Sequence, residues 1–89
     1  MLEIKYLTQF KKDLKKVTKR GNDLAKLKKL IEILAKEKDI PVKYKDHKLS
    51  GNYLGYRDCR IEPDWLLIYR KSSIHITLAR TGSHSDLFR

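Results

Sequence analysis

Eighty-nine residues with 40% apolar content, two prolines and four glycines suit one folded domain. Such a chain buries roughly 60–65% of its unfolded surface, so a large substrate has to sit on the outside. Lysine and arginine number 21 against 11 acidic residues, net +10. That balance favours polyanions: RNA, DNA, an anionic membrane or an acidic protein.

The lone Cys59 excludes an intramolecular disulfide and fits a reducing compartment. No apolar run reaches the ~18 residues of a membrane span, and Met1-Leu2-Glu3-Ile4-Lys5 lacks a signal-peptide core. The expectation is a cytoplasmic protein that does not engage a membrane.

Leu2-Glu3-Ile4-Lys5-Tyr6 alternates and predicts a short strand. Thr8 stands where a helix N-cap belongs. Phe10, Leu14 and Val17 then recur at helical spacing, with lysines on the other face. Gly21-Asn22 ends that helix, and Asn22 or Asp23 caps a second one with the stripe Leu24, Leu27, Leu30, Ile31 and Leu34. Glu37-Lys38-Asp39 closes it and Pro41 blocks continuation.

From there the period changes from 3.6 to 2. Asp39 to Gly51 reads as a loop. Tyr53 to Glu62 predicts a strand with Cys59 and Ile61 on one face and Asp58, Arg60 and Glu62 on the other. After Pro63, Trp65 to Tyr69 is almost continuously apolar, as a strand covered on both faces should be. Ile74, Ile76 and Leu78 alternate with His75, Thr77 and Ala79 in a last strand that Gly82 ends, leaving a short tail. The fold class is α+β: an N-terminal strand and a helical hairpin packed on one face of a mainly antiparallel sheet, in a single domain spanning residues 1–89. The other sheet face is left partly open, and a site would form there.

Charge is divided between the halves. Thr8 to Lys38 holds eleven basic and four acidic residues, Leu49 to Arg89 six and four, and five of the six arginines lie on the sheet half. Lysine attracts phosphate as a hydrated point charge; arginine grips it with a planar fork. The division suggests a docking surface on the helices and a reaction surface on the sheet.

Cutting RNA without metal needs a base for the 2′-hydroxyl, cations for the charge on phosphorus, and an acid for the leaving 5′-oxygen. His84, in the polar stretch beyond Gly82, and His47, beside an Asp46 able to fix its tautomer, are either exposed surface groups or proton carriers. His75, inside a strand, reads as structural. Asp64 is a turn carboxylate, a base, or the orienting partner of a histidine. Arg57, Arg60 and Arg80 are surface charges, partners for Asp58 and Glu62, or phosphate clamps, Arg80 being the best placed to clamp. Phe88 is a core plug or a stacking platform. Cys59 reads as a small buried hydrophobe. No pair of ligand-type residues has the short spacing of a structural zinc site, so neither metal nor cofactor is expected.

The runs Tyr44-Lys45-Asp46-His47, Gly55-Tyr56-Arg57-Asp58, Ile61-Glu62-Pro63-Asp64-Trp65-Leu66-Leu67-Ile68-Tyr69 and Arg80-Thr81-Gly82-Ser83-His84-Ser85-Asp86-Leu87-Phe88 together resemble the RelE-type toxins of type II toxin–antitoxin systems, the YafQ branch above all. The resemblance covers the whole chain. It implies a ribosome-dependent endoribonuclease that cuts mRNA in the A site of the 70S ribosome by 2′-hydroxyl attack. It also implies a cognate antitoxin that neutralises the toxin, in a complex that binds operator DNA. At matching positions it assigns His47, Asp64, His84 and Phe88 to the site, and Arg80 as typical of the wider family. The resulting expectation makes His84 the acid and His47 or Asp64 the base, with Arg60 and Arg80 on the phosphate. Lys11, Lys12, Lys15, Lys45 and Arg57 are the candidates for holding message and ribosomal RNA.

The branch usually carries a histidine where this chain has Arg60, which removes one proton carrier and shifts weight to arginine clamping or lowers activity. The alternative is a non-catalytic basic module that binds nucleic acid, the ribosome or an antitoxin.

Overall fold

The computed structural model describes residues 1–88. In chain order come β1 (Glu3–Tyr6), α1 (Thr8–Lys19), α2 (Leu24–Ala35), a 3₁₀ turn at Val42–Tyr44 and β2 (His47–Lys48). A second 3₁₀ turn at Gly51–Tyr53, β3 (Arg57–Glu62), β4 (Trp65–Lys71), β5 (His75–Gly82) and a one-turn α3 (His84–Leu87) complete it. The sheet order is β1-β5-β4-β3-β2. β1 runs parallel to β5, with Ile4 opposite Ile76, and the other three pairs are antiparallel.

The helical hairpin forms as its periodicity requires. Phe10 and Val17 of α1, and Leu27, Leu30 and Leu34 of α2, are buried at helical spacing against the sheet. Between them Gly21, at φ +85°, donates to Thr18 O while Asn22 N donates to Val17 O, the glycine-terminated stop that frees the chain to reverse. The Asp23 carboxylate then accepts from Ala25 N at 3.0 Å and starts α2. The expectation for Thr8 is corrected. Leu7 occupies the cap position without a side-chain bond, and its N–H donates to Leu78 O, so β1 runs straight into α1.

Trp65, Leu67 and Tyr69 of β4 face the helices, together with Cys59, Ile76 and Leu78. Each fully buried leucine or isoleucine here contributes about 1.5–3 kcal/mol of transfer free energy. The Trp65 indole N–H finds its partner inside the core, donating to Thr81 Oγ1 at 2.9 Å, and that hydroxyl donates onward to Leu66 O at 2.8 Å. The opposite face is more covered than the sequence suggested. Leu66, Ile68 and Ala79 are roofed by Leu87, with Leu49, Tyr53 and Tyr56 packed around them. The end of the sheet near the β3–β4 turn stays open.

Three local expectations are corrected. The loop from Asp39 to Gly51 contains β2, the strand expected from Tyr53 begins at Arg57, and the C-terminal tail is helical. Among the described residues no helix is long and apolar enough to cross a membrane.

Candidate active site

β3 divides its side chains between the two layers. Arg57 and Cys59 turn to the helix side, while Asp58 and Arg60 turn to the open end of the other face. β2 pairs with β3 in the register His47 opposite Asp58, which brings the imidazole to that carboxylate. Lys45, at φ +48°, turns the chain so that its carbonyl meets His47 Nδ1 at 2.8 Å. A carbonyl only accepts, so Nδ1 carries the proton and neutral His47 presents its lone pair on Nε2. Nε2 lies 3.8 Å from Asp58 Oδ2, too long for a hydrogen bond.

Asp58 is 3% exposed, and its Oδ1 has no hydrogen-bond partner among the described residues. Burial pushes its carboxyl above the ordinary range, against the pull of His47, His84 and Arg60.

The second histidine is held from two directions. Asp64, in the turn after Pro63, accepts from His84 N at 2.9 Å and from His84 Nδ1 at 2.7 Å. These two bonds hold the Asp64 carboxyl below its ordinary range. They leave Nε2 of His84 free to take or give a proton. α3 itself rests on a reciprocal cap. Ser83 N donates to Asp86 Oδ2 at 2.9 Å, and Asp86 N donates to Ser83 Oγ at 3.2 Å. Arg20 at 2.6 Å and Lys16 at 3.1 Å, both from the end of α1, grip the same carboxylate and hold it far below the usual range.

Phe88 follows with 43% of its surface exposed. Its ring meets Tyr53 edge-on at 5.7 Å and lies 6.4 Å from the His84 ring. The Tyr53 hydroxyl donates to Leu87 O and accepts from Arg80, both at 3.3 Å. Arg80 is in turn held by Asp13 of α1, through Nε at 2.7 Å and Nη2 at 3.2 Å. Asp13 also accepts from Thr81 N, an edge donor on β5 beyond the end of β1.

The result is a cleft of about 320 Å³ walled by Lys45, His47, Asp58, Arg60, His84 and Phe88 over a floor of Leu49 and Leu66. Two imidazoles with Nε2 unbonded, two cations and an exposed ring surround a space fit for one phosphodiester and its flanking base.

Known proteins decide the family. The family model described as "Bacterial toxin of type II toxin-antitoxin system, YafQ" matches residues 2–89. The chain belongs to that family. It is 44% identical over 87 residues to the mRNA interferase toxin YafQ of Escherichia coli K12, covering 97% of this chain and 95% of that protein. The crystal structure of YafQ from E. coli BL21(DE3) superposes with a TM-score of 0.95 at 41% identity over the whole of both chains. YafQ in the E. coli DinJ–YafQ complex gives 0.93 at 42% identity, again over both whole chains.

Of the residues singled out in sequence, this YafQ-family fold gathers Lys45, His47, Arg60, His84 and Phe88 round one cleft and hangs Asp64 behind His84. Phe88 is not the core plug; Leu87, 6% exposed, has that place. Arg80 lies behind Tyr53, with two of its nitrogens taken by Asp13. Arg57 faces the helix side, bound through Nε and Nη2 to Asp46. Lys11, Lys12 and Lys15 stand exposed on α1, outside the cleft.

The expectation that Asp46 fixes the His47 tautomer is corrected. Asp46 turns the other way, to Arg57, Tyr69 and Cys59, and the Lys45 carbonyl does the fixing. Asp58, Tyr53 and Asp13 escaped the sequence reading as site and support residues. Asp13 had a signal: it is an acidic residue three positions after Phe10 and four before Val17, at the edge of the apolar arc they share.

Proposed function

We propose that this chain is the toxin of a type II pair, an endoribonuclease that cuts mRNA in the ribosomal A site without a metal. The observation that carries the reading is the pair His47 and His84. Each imidazole has its Nδ1 proton committed to a fixed acceptor, and each faces the same basic cleft with Nε2.

In the reaction, His47 Nε2 takes the 2′-hydroxyl proton and the 2′-oxygen forms a bond to phosphorus. Arg60 and Lys45 neutralise the non-bridging oxygens. The bond from phosphorus to the 5′-oxygen breaks, and protonated His84 delivers its Nε2 proton to that oxygen, leaving a 2′,3′-cyclic phosphate. Asp58 stabilises the imidazolium formed on His47, and Asp64 the one His84 begins with. Phe88 stacks a base beside the cut, with Arg80 steadying the Tyr53 ring against it. With Asp64 bonded to His84 through Oδ1, the base role falls to His47.

Histidines on a two-residue strand and a one-turn helix are weakly preorganised, so a host that fixes the message supplies the orientation. On this reading the protein works in the cytoplasm, on 70S ribosomes, with a cognate antitoxin as inhibitor in a complex that binds operator DNA. A DinJ–YafQ complex of E. coli, whose toxin matches this fold, supports the antitoxin partner.

The test is expression of wild type and His84→Ala in translating cells with mRNA 5′-ends mapped. Cuts in translated frames that vanish in the variant are expected. Growth arrest without cuts, or equal cutting by both proteins, overturns the reading in favour of a binding module.

A further inference from the structure

Beside the cleft lies a second hollow of about 500 Å³, bordered by α2, the Val42–Tyr44 turn and the β3–β4 turn. Lys26, Lys29 and Lys43 line it, and it shares Lys45 and Arg60 with the catalytic cleft. The two hollows therefore meet at these two cations, and the second forms a basic channel beside the first.

Of its five cations only Lys26 is paired among the described residues, to Glu62 at 2.8 Å, and that pair is exposed. Lys43 sits over the Tyr44 ring at 5.2 Å, which aims its ammonium without neutralising it. Tyr44 is itself 5% exposed, so it offers no face for a base. The walls present point charges, Glu62 among them beside Lys26, and the remaining surface is the side of Tyr44, Ile61 and Pro63. Such a channel reads charge along a backbone and not base edges.

We propose that this channel seats the phosphates flanking the cut on one side of the scissile linkage, so that Lys29 and Lys43 of α2 and the 3₁₀ turn form a backbone track for the message. The inference rests on the nuclease reading and deepens it, because a strand whose scissile phosphate meets Arg60 and Lys45 has to leave the cleft past these lysines. It moves the message-holding role away from Lys11, Lys12 and Lys15, which adjoin neither hollow.

The experiment measures binding of wild type and the Lys29→Gln/Lys43→Gln double variant to ribosomes programmed with a message blocked at the cut by a 2′-O-methyl ribose. Uncharged methylphosphonate linkages replace the flanking phosphates one at a time. At least one flanking replacement is expected to weaken wild type and leave the double variant indifferent. Each lysine that releases a counterion adds about 0.7 to the salt slope on a single strand, so wild type loses about sevenfold more affinity than the variant between 50 and 200 mM salt.

The proposal is overturned if no flanking replacement distinguishes the two proteins. It is equally overturned if the variant loses as much affinity for ribosomes without message, which would make ribosomal RNA the occupant. Failure of the nuclease reading looks different: unblocked message stays whole with wild type while the lysine-dependent contacts persist.

Discussion

Asp64 is the carboxylate whose role the geometry most sharply divides from its alternatives. If it acts through His84, Asp64→Ala removes two hydrogen bonds to one charged acceptor, from His84 N at 2.9 Å and Nδ1 at 2.7 Å. The Asp64 side chain is 68% exposed, and solvent screening keeps the effect modest, roughly tenfold in rate.

The loss falls on kcat, with KM unchanged, because the carboxylate stabilises an imidazolium and touches no substrate. Asp64→Asn keeps an acceptor but not the charge, and recovers part of the rate. The assay is single-turnover cutting of a programmed ribosome by wild type, Asp64→Ala, His84→Ala and the double variant. Since Asp64 works through His84, adding Asp64→Ala to His84→Ala costs nothing more. A further tenfold loss in the double variant would refute the argument and restore Asp64 as an independent base.

Asp58 makes the opposite trade. Burial holds its carboxyl above the ordinary value, so the native chain binds that proton more tightly than the unfolded chain. Stability is therefore lost as pH rises through the interval between the two values. Asp58→Asn should raise stability at pH 7 on the order of 1 kcal/mol, a gap that melting curves show closing at acid pH, and should lower cutting through His47. Gly82→Ala places a Cβ 2.8 Å from Asp86 Oδ2 at a backbone φ of +156°. It should cost about 1–2 kcal/mol by breaking the Ser83–Asp86 cap, and lower cutting as His84 shifts. Asp13→Asn strips the charge from Arg80's partner and should destabilise by about 2 kcal/mol in denaturant titration, less than a fully buried pair because Arg80 is 25% exposed.

The sequence disclosed what periodicity governs. α1 and α2 announced themselves through Phe10, Val17, Leu27, Leu30 and Leu34, and β4 through an unbroken apolar run, because burial of those side chains is what holds the elements. β2 has no such cause. Both its residues, His47 and Lys48, are exposed, and it exists because β3 offers it an edge, so no pattern in the sequence marks it. α3 is one turn long and stands on a cap between Ser83 and Asp86, three residues apart, plus cations from α1 about 70 positions away. The same division runs through the site. His47 and His84 were legible as residue types at the ends of pattern. Their tautomers were not, because each is set by a partner that only the fold selects: a neighbouring carbonyl instead of the adjacent Asp46, and a turn aspartate 20 positions upstream. Asp58 shows the limit most clearly. Alternation placed it on the polar face of β3, yet the short strand beside it and α3 beyond it bury that face. A group read as a partner for arginine becomes a buried carboxylate beside His47 whose Oδ1 has no hydrogen-bond partner among the described residues.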